Sequence, residues 1–374
     1  MRNVHQIGKG ALPIQTLLEL VENGFITADE STIKPSSIDL VLEDNIYEVP
    51  GVFQVEPGKN VLDMVKSFGQ GVHPFSGGML QKGKTYLIPI SNKIDLPKSI
   101  YGYANLKSTS GRLDMHVRLL ADKVPWYDFV PKSFCGKLWV LVSPKTFSIQ
   151  LNGKSSLNQL RLFNSDTRLM SEELEQVMQK DGLLFSPQNG ELFKSKIRYK
   201  DLRVRDDDRS LLLSLDLQSK IVGYRAKENI NPIEYNCNEK YLYSDFFEVI
   251  EKPKGNFLKL DSKSFYILSS LENVMVPPDL ACEMAPMDDR LGDFRSHYAG
   301  FIDPGWGYGK AGEEQGRQLT LEVRVFEDML VKHGQPIARI KFEQLIATPD
   351  VQYDQIASNY TKQVGPKLAK QFKM

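Results

Sequence analysis

The chain has 374 residues, 41% of them hydrophobic and 25% charged, which is typical of a globular protein with room for two domains. Lysine and arginine total 47, and aspartate and glutamate also total 47, so no overall positive charge would attract nucleic acid or an anionic membrane. The sequence shows neither an apolar signal-peptide segment nor a membrane-spanning stretch, and its three widely spaced cysteines favour a reducing cytoplasm. We therefore expect a cytoplasmic protein that binds neither nucleic acid nor membrane.

Two segments have the spacing of amphipathic helices, and a third is mixed. Residues 14–26 place four apolar side chains on one stripe, at Leu17, Leu18, Val21 and Phe25. Residues 170–182 open with Ser171 as the predicted N-cap, followed by two glutamates that the helix dipole favours in the first turn. The tail at 354–372 combines helical spacing with glycine and proline, so we expect it to be partly mobile.

Most of the remaining chain has the pattern of short strands separated by turns. The clearest are Ser37–Leu42, Thr85–Ile90, Lys137–Val142, Ser264–Leu268, Leu319–Phe326 and Ile337–Phe342. Because no regular helices separate these strands, they predict a mainly β fold, a barrel or a sandwich, with a few short helices.

The two halves of the chain resemble each other. A strand, a proline-containing turn, an Arg-Leu pair and a second apolar strand follow in the same order in each half, beginning at 86–90 and at 265–268. We predict two copies of one β-fold, at residues 1–168 and 185–374, joined by a helical connector at 169–184.

One candidate site lies in the second half, where the run 301–309 (FIDPGWGYG) precedes a strand that contains Glu322. Alternation along the strand places Glu322 and Arg324 on the face opposite Leu321. A carboxylate held beside a Gly-rich turn could act over a pocket, where desolvation would raise its pKa toward the range useful for acid–base catalysis. A solvated strand face with a surface Glu–Arg arrangement is the alternative interpretation.

A second candidate site is the segment Lys107–Arg112 (KSTSGR) in the first half. Its two cations, three hydroxyls and one glycine offer many hydrogen-bond donors for phosphate oxygens. The segment is not a Walker A loop. By composition alone, a polar surface loop would look the same.

Together these residues resemble the dCTP deaminases, a family that shares its β-barrel, a distorted jelly-roll, with the trimeric dUTPases. The family pattern runs R-S-S-x-x-R-x-G, then I-D-P-G-W, then a strand with L-E, then a C-terminal Y-x-x-Q-x-G. The matching segments are Pro35–Leu42, Lys107–Arg112, Arg290–Gly292, Ile302–Trp306, Leu321–Glu322 and Tyr360–Gly365. The resemblance implies that the chain consists of two such barrels and converts dCTP to dUTP and ammonia.

Each half departs from the family pattern in a complementary way. The second half keeps only Arg290 of the R-S-S-x-x-R motif. In the first half, Pro125 stands where the aspartate would be, and residues 138–140 contain no glutamate. Because active sites of the family lie between neighbouring copies, we expect one composite site, built by the first-half loop and the second-half wall. If both halves have instead decayed, nothing is catalysed.

The resemblance also implies roles for individual residues. Glu322 would take a proton from the water that attacks C4 of cytosine, while Ser108 and Arg112 would hold this water and the developing charge. Contacts to the base and sugar would come from Ala299, Asp303, Thr320 and Leu321. Contacts to the phosphates would come from Lys107, Ser108, Thr109, Ser110 and Arg112, with Tyr353, Tyr360 and Gln363 closing over the triphosphate as a mobile tail.

Cofactors and assembly follow from the same resemblance. Mg²⁺ would bridge phosphate oxygens of the nucleotide. The H-x-E and P-C-x-x-C signature of zinc deaminases is missing from the sequence, so we expect no zinc. The chain would form a homo-oligomer with threefold symmetry. Two other functions remain open, namely hydrolysis of dUTP, alone or after deamination, and a non-catalytic module that senses deoxynucleotides.

Overall fold

The structure, a computed structural model, describes residues 8–68, 73–75, 78–186, 194–202, 210–292, 294–295, 300–356, 360 and 363–374. Its α-helices are short: α1 (Ile14–Glu22), α2 (Val61–Ser67), α3 (Ser108–Arg112), α4 (Ser171–Lys180) and α5 (Tyr243–Phe246). Single 3₁₀ turns occupy Glu30–Thr32, Tyr199–Asp201, Asp289–Leu291 and Tyr353–Gln355. No helix of these ranges is long and apolar enough to cross a membrane.

The strands follow in chain order: β1 (Ile33–Lys34), β2 (Ser37–Leu40), β3 (Ile46–Val49), β4 (His73–Phe75), β5 (Met79–Leu80), β6 (Thr85–Pro89), β7 (Ile94–Asp95), β8 (Tyr101–Leu106), β9 (Met115–Ala121), β10 (Phe129–Val130), β11 (Cys135–Gly136), β12 (Leu138–Pro144), β13 (Ile149–Gln150), β14 (Asn158–Phe163), β15 (Leu184–Phe185), β16 (Leu211–Ser214), β17 (Ile221–Ala226), β18 (Ile233–Glu234), β19 (Tyr241–Leu242), β20 (Phe247–Glu251), β21 (Phe257–Leu260), β22 (Tyr266–Val274), β23 (Leu280–Ala285), β24 (Phe294–Arg295), β25 (Phe301–Ile302), β26 (Arg317–Val325), β27 (Met329–Lys332), β28 (Pro336–Gln344) and β29 (Phe372–Lys373).

The chain divides into two compact units. The first-repeat unit contains Ala11–Ser165, Glu228–Tyr243 and Ala369–Met374. The second-repeat unit contains the described residues of Met1–Gly10, Asp166–Lys227 and Ser244–Leu368. The predicted boundaries follow chain order, whereas two pieces of the second half, 228–243 and 369–374, belong to the unit of the first half.

The main sheets of the two units share one strand order, to which the first-repeat unit adds β1 at an edge. In the first-repeat unit, the two main sheets have the orders β1-β2-β14-β8-β10 and β4-β3-β6-β12-β9. In the second-repeat unit, the corresponding orders are β16-β28-β23-β25 and β20-β17-β22-β26-β24. Neighbours in these four sheets are antiparallel. The equivalence of β6 with β22 and of β12 with β26 confirms the prediction of two mainly β repeats.

Central strands lie where the apolar pattern placed them. Every residue of β12 is buried, since this strand lies between β6 and β9. In the second-repeat unit, Leu319, Leu321 and Val323 of β26 belong to the hydrophobic core together with Leu268 of β22. The alternation of the sequence therefore locates the core side of the strand that carries the candidate carboxylate.

Both predicted helices are present, but the buried face of α1 and the N-cap of α4 differ from the prediction. α1 ends at Glu22 because Asn23 and Gly24 leave the helix, Gly24 with a φ of +77° that glycine adopts without strain. Its buried side chains are Leu17 and Leu20, so the predicted stripe was wrong beyond Leu17, and Phe25 lies past the helix end. In α4, Met170 is the N-cap instead of Ser171, and its amide donates to the Glu173 carboxylate at 2.7 Å.

Candidate active site

The second-repeat unit holds the candidate catalytic carboxylate on β26. Glu322 is 2% exposed and lies directly opposite Ile267 of β22. Side chains on either side of it, Leu321 and Val323, point to the hydrophobic core, so Glu322 lies on the other face. The solvated alternative was therefore wrong for Glu322, although Arg324 on the same face is partly exposed.

Neighbouring positions on β26 are also enclosed. Thr320 is 7% exposed and Leu321 is fully buried. The Thr320 hydroxyl accepts a hydrogen bond from the backbone N–H of Lys367 at 3.1 Å. A strand held between β22 and a tail segment in this way leaves little freedom for the position of Glu322.

Asp303 begins a tight turn at the end of β25. The Trp306 N–H donates to the Asp303 carbonyl at 3.1 Å, and Gly305 has a φ of +85°. Proline at the second position and a positive φ at the third define a type II turn. A Cβ at Gly305 would lie 2.7 Å from the Cβ of Gln352, so glycine is required here for space as well as for conformation.

The C-terminal tail packs along the same strand. Gln363 is 3% exposed, and its side-chain amide donates to the Gln318 carbonyl at 2.9 Å. Tyr360 is 7% exposed and belongs to the core, and its carbonyl accepts from the Gln363 N–H at 3.2 Å. Tyr353 lies against Trp306, with ring centroids 5.1 Å apart. The three tail residues predicted from the resemblance therefore lie in the unit that contains Glu322.

An ion pair that the sequence analysis missed lies at the beginning of β26. Arg317 and Asp354 are joined by two hydrogen bonds of 2.6 and 2.9 Å. Burial by itself would lower the pKa of the Arg317 guanidinium, but hydrogen bonds to Asp354 and Glu314 raise it above its ordinary value. Arg317 therefore remains a cation five residues before Glu322.

The first-repeat unit holds the candidate phosphate loop as helix α3. Lys107 is the N-cap residue, and its ammonium lies 2.5 Å from the Asp39 carboxylate. Asp39, a residue of β2, is 6% exposed, whereas the Lys107 side chain is 29% exposed. The pair fixes the Lys107 side chain at the head of α3, and a phosphate would share the ammonium with Asp39.

The remaining residues of α3 differ in their exposure. Ser108 is partly exposed, while Thr109 and Arg112 are buried at 8% and 4% exposure. Ser110 is fully buried, and its hydroxyl bonds the Leu157 carbonyl at 3.1 Å and the Tyr235 hydroxyl at 2.8 Å. The phosphate contact of Ser110 stays a prediction, and it would require these two hydrogen bonds to break.

A second cation near α3 comes from the C-terminus and was also missed. Burial lowers the pKa of the Lys370 ammonium, and the charge of Lys107 lowers it further. The segment around Lys370 is fixed in place, since the Glu239 N–H donates to the Lys370 carbonyl at 2.8 Å. The two ammonium groups repel each other, and a bound polyanion would relieve this repulsion.

Other residues that the sequence singled out belong neither to the surroundings of Glu322 nor to α3. Ala299 lies outside the described residues. Arg290 has an 85% exposed side chain, paired with Asp288 at 2.6 Å. Cys135, Cys237 and Cys282, which all lie in the described ranges, form no disulfide. Within the described ranges, no group of three or more His, Cys, Asp or Glu residues could hold a metal ion.

Comparisons with known proteins identify one family that matches both halves of the chain. The family model of the 2′-deoxycytidine 5′-triphosphate deaminase N-terminal domain matches residues 8–166, and that of the C-terminal domain matches residues 168–372. The chain is also similar to the crystal structure of a 2′-deoxycytidine 5′-triphosphate deaminase from Agrobacterium tumefaciens. That similarity has a TM-score of 0.80 at 30% sequence identity and covers 92% of this chain and 100% of that chain. No match was found among curated protein sequences.

Proposed function

The chain belongs to the 2′-deoxycytidine 5′-triphosphate deaminase family, and we propose that it deaminates dCTP at one composite site to which both repeats contribute. The reaction consumes one water and releases dUTP and ammonia. The first repeat would bind the triphosphate through α3, and the second would provide the base and sugar contacts together with the proton-transferring carboxylate. The observation that carries the proposal is the position of Glu322, 2% exposed on the face of β26 that points away from the core.

Glu322 would act as a general base and then as a general acid. It accepts a proton from the water that attacks C4 of cytosine and delivers it to the ring nitrogen N3. The same carboxylate then takes the proton of the new C4 hydroxyl and delivers it to the amine, so that the C4–N bond breaks, the C4 carbonyl forms and ammonia leaves. Burial on a strand helps because the carboxylate needs no reorganisation to reach the reacting atoms. Ser108 and Arg112 would hold the attacking water and the charge that develops at C4.

Substrate contacts would be divided between backbone and side chains. Thr320 and Leu321 would present backbone groups to the cytosine edge, with Ala299 packed near the base. Asp303 would accept a hydrogen bond from the 3′-hydroxyl of the sugar. Lys107 and Thr109 would bind phosphate oxygens.

The proposed substrate is the magnesium complex of dCTP, in which phosphate oxygens hold the ion. Because the zinc-deaminase signature is missing from the sequence, we propose that the carboxylate performs the proton transfers without zinc. Activity should then require added Mg²⁺ and should survive dialysis against a zinc-selective chelator. Loss of activity that only zinc restores would contradict this part of the proposal.

We also propose a cytoplasmic homo-oligomer with threefold symmetry, as the resemblance to the family implies. A molar mass of three chains in light scattering would support the assembly. A monomer that is fully active at assay concentration would contradict it.

The variant Glu322→Gln tests the catalytic role, because the amide keeps the shape of the side chain and cannot take a proton. We expect turnover of dCTP to fall by about 10²–10⁴-fold, the usual range for loss of a general base. The dissociation constant of dCTP should change by less than about threefold, since the lost interaction acts in the transition state. Ammonia and pyrophosphate are measured separately, so that deamination is distinguished from dUTP hydrolysis.

Glu343→Gln is the matched control. Glu343 is also buried in the second-repeat unit, at 5% exposed, but it lies on β28. Its variant should keep turnover close to that of the unmodified chain. Unchanged ammonia release by Glu322→Gln would overturn the assignment of the base, and pyrophosphate as the only product would overturn deamination itself.

A further inference from the structure

Arg317 and Asp354 form a bidentate ion pair that links distant parts of the second-repeat unit. Arg317 is the first residue of β26, and Asp354 lies in the 3₁₀ turn Tyr353–Gln355, 37 residues further along the chain. Two N–O distances of 2.6 and 2.9 Å join the guanidinium to the carboxylate. The side chains are 7% and 1% exposed, so water does not compete for these hydrogen bonds.

Other groups converge on the same pair. The Gly309 N–H donates to Asp354 at 2.8 Å, which ties the Gly-rich segment 307–316 to the tail. Glu314 of that segment also bonds Arg317, at 2.6 Å. The guanidinium lies 5.7 Å from the centre of the Trp306 ring, within cation–π range. The continuous stretch 306–317 and the tail residue Asp354, 37 residues beyond Arg317, therefore meet at one ion pair.

Tyr353, the residue before Asp354, lies against the turn 303–306. Its N–H donates to the Pro304 carbonyl at 2.9 Å, and its ring packs on Trp306 at 5.1 Å. Pro304 and Trp306 belong to the turn that begins with Asp303. Asp354 is the next residue after Tyr353, so its two bonds to Arg317 fix the backbone immediately beyond these contacts.

Such a pair is not the arrangement that would give the most stability. A buried ion pair gains little over apolar side chains of similar volume, because removing two charges from water costs about as much as their attraction returns. What the pair provides is direction, since a guanidinium binds a carboxylate in one plane and at one distance.

We propose that Arg317 and Asp354 are positioning residues for the nucleotide: they hold Tyr353 and the Asp303 turn in the geometry that binds the sugar and the triphosphate. This inference rests on the proposed function and extends it. Neither residue needs to touch the substrate. Their loss should weaken nucleotide binding more than it slows the chemical step.

The test uses the full chain with both charges replaced by apolar side chains, Arg317→Met with Asp354→Leu, so that no unpaired charge is left buried. Arg317→Lys is the second variant, because it keeps the charge but cannot form both hydrogen bonds. The matched control is Arg225→Met with Glu248→Leu, which removes an exposed pair of the same unit. In that pair two guanidinium nitrogens lie 2.7 and 3.0 Å from one carboxylate oxygen.

We expect the apolar double variant to raise the KM for dCTP about tenfold while kcat stays within about threefold, because the lost geometry acts on binding. Arg317→Lys should show a smaller rise, and the control should show none. Hydrogen exchange at the Gly309 and Tyr353 amides should become faster in the double variant. A merely structural pair would instead lower kcat through loss of folded enzyme and leave KM unchanged.

The dissociation constant of dCTP, measured calorimetrically, decides the inference even if turnover is absent. An unmodified chain that does not deaminate dCTP would contradict the proposed function. Unchanged KM and unchanged dissociation constant in the double variant, with faster exchange at Gly309, would overturn the positioning role alone.

Discussion

The hydroxyl of Tyr235 lies 2.8 Å from the hydroxyl of Ser110, inside the first-repeat unit and directly behind α3. Tyr235 belongs to the segment 228–243, which comes from the second half of the sequence. The tyrosine is 4% exposed, and its hydroxyl also donates to the Ser156 carbonyl at 3.0 Å. The second half of the chain therefore supports the phosphate loop of the first.

Tyr235→Phe should weaken nucleotide binding through α3. The variant removes one hydroxyl from a closed site and leaves the Ser110 hydroxyl with its bond to Leu157 alone. We expect the KM for dCTP to rise about three- to tenfold and the free energy of unfolding to fall by about 1 kcal/mol, the usual value of one hydrogen bond.

Steady-state kinetics and urea denaturation measure the two effects of Tyr235→Phe. Tyr241→Phe, in the same segment, is the control, because its hydroxyl accepts from the Glu234 N–H at 3.1 Å. Equal changes in KM for the two variants would contradict a specific role of Tyr235.

Lys370→Met should reduce affinity for the triphosphate. The charge of Lys107 lowers the pKa of the Lys370 ammonium beyond the effect of burial, so the two groups repel each other, and a phosphate placed beside both would relieve this repulsion. We expect the KM for dCTP to rise about fivefold, with a weaker dependence of KM on salt, because one cation fewer meets the phosphates. Lys373→Met is the control, since Lys373 is exposed on β29. An unchanged salt dependence in Lys370→Met would exclude Lys370 from phosphate binding.

The carboxyl of Asp128 makes the free energy of unfolding depend on pH. Burial raises the pKa of its carboxyl from 3.8 to about 6, despite the Arg118 guanidinium at 2.8 Å and the hydrogen bond from the Leu119 amide. The folded chain therefore holds this proton more tightly than the unfolded chain. The ionised carboxylate costs stability that is absent below pH 3.8 and reaches its full value above pH 6.

Asp128→Asn should remove that pH-dependent cost. The φ of +58° at this position is one that asparagine tolerates. Relative to the unmodified chain, the variant should gain free energy of unfolding by up to about 3 kcal/mol between pH 4 and pH 7, two pKa units at 1.36 kcal/mol each. Urea denaturation at the two pH values measures this difference. A difference that stays constant, or that shrinks toward pH 7, would contradict the raised pKa.

Much of the fold could be predicted because its strands carry their own periodicity. The alternation along 319–326 located the core face of β26, and the order of motifs along the chain identified the repeat. The face of α1 could not be predicted in full, because its boundary at Glu22 depends on how Asn23 and Gly24 end the helix. Local sequence determines periodicity, whereas tertiary packing chooses which side is buried.

The candidate site was only partly accessible from the sequence. Glu322 and the loop 107–112 follow from composition, spacing and resemblance. Tyr235, Lys370 and Asp354 could not be found in this way, since each acts on a partner far along the chain: 125 residues separate Tyr235 from Ser110. Ser110 shows the opposite difficulty. Composition predicts that its hydroxyl binds a ligand, whereas in the structure the hydroxyl forms hydrogen bonds inside the protein.

Turnover of dCTP by Arg112→Ala, compared with Arg290→Ala, tests the composite site most directly. Arg112 is 4% exposed in the first-repeat unit, whereas Arg290 has an 85% exposed side chain in the unit that contains Glu322. A composite site predicts that Arg112→Ala lowers kcat by about 100-fold or more, although every residue of the second repeat is intact, and that Arg290→Ala changes it less than about threefold. If Arg290→Ala abolishes turnover while Arg112→Ala remains active, the second repeat works alone and the composite site is contradicted.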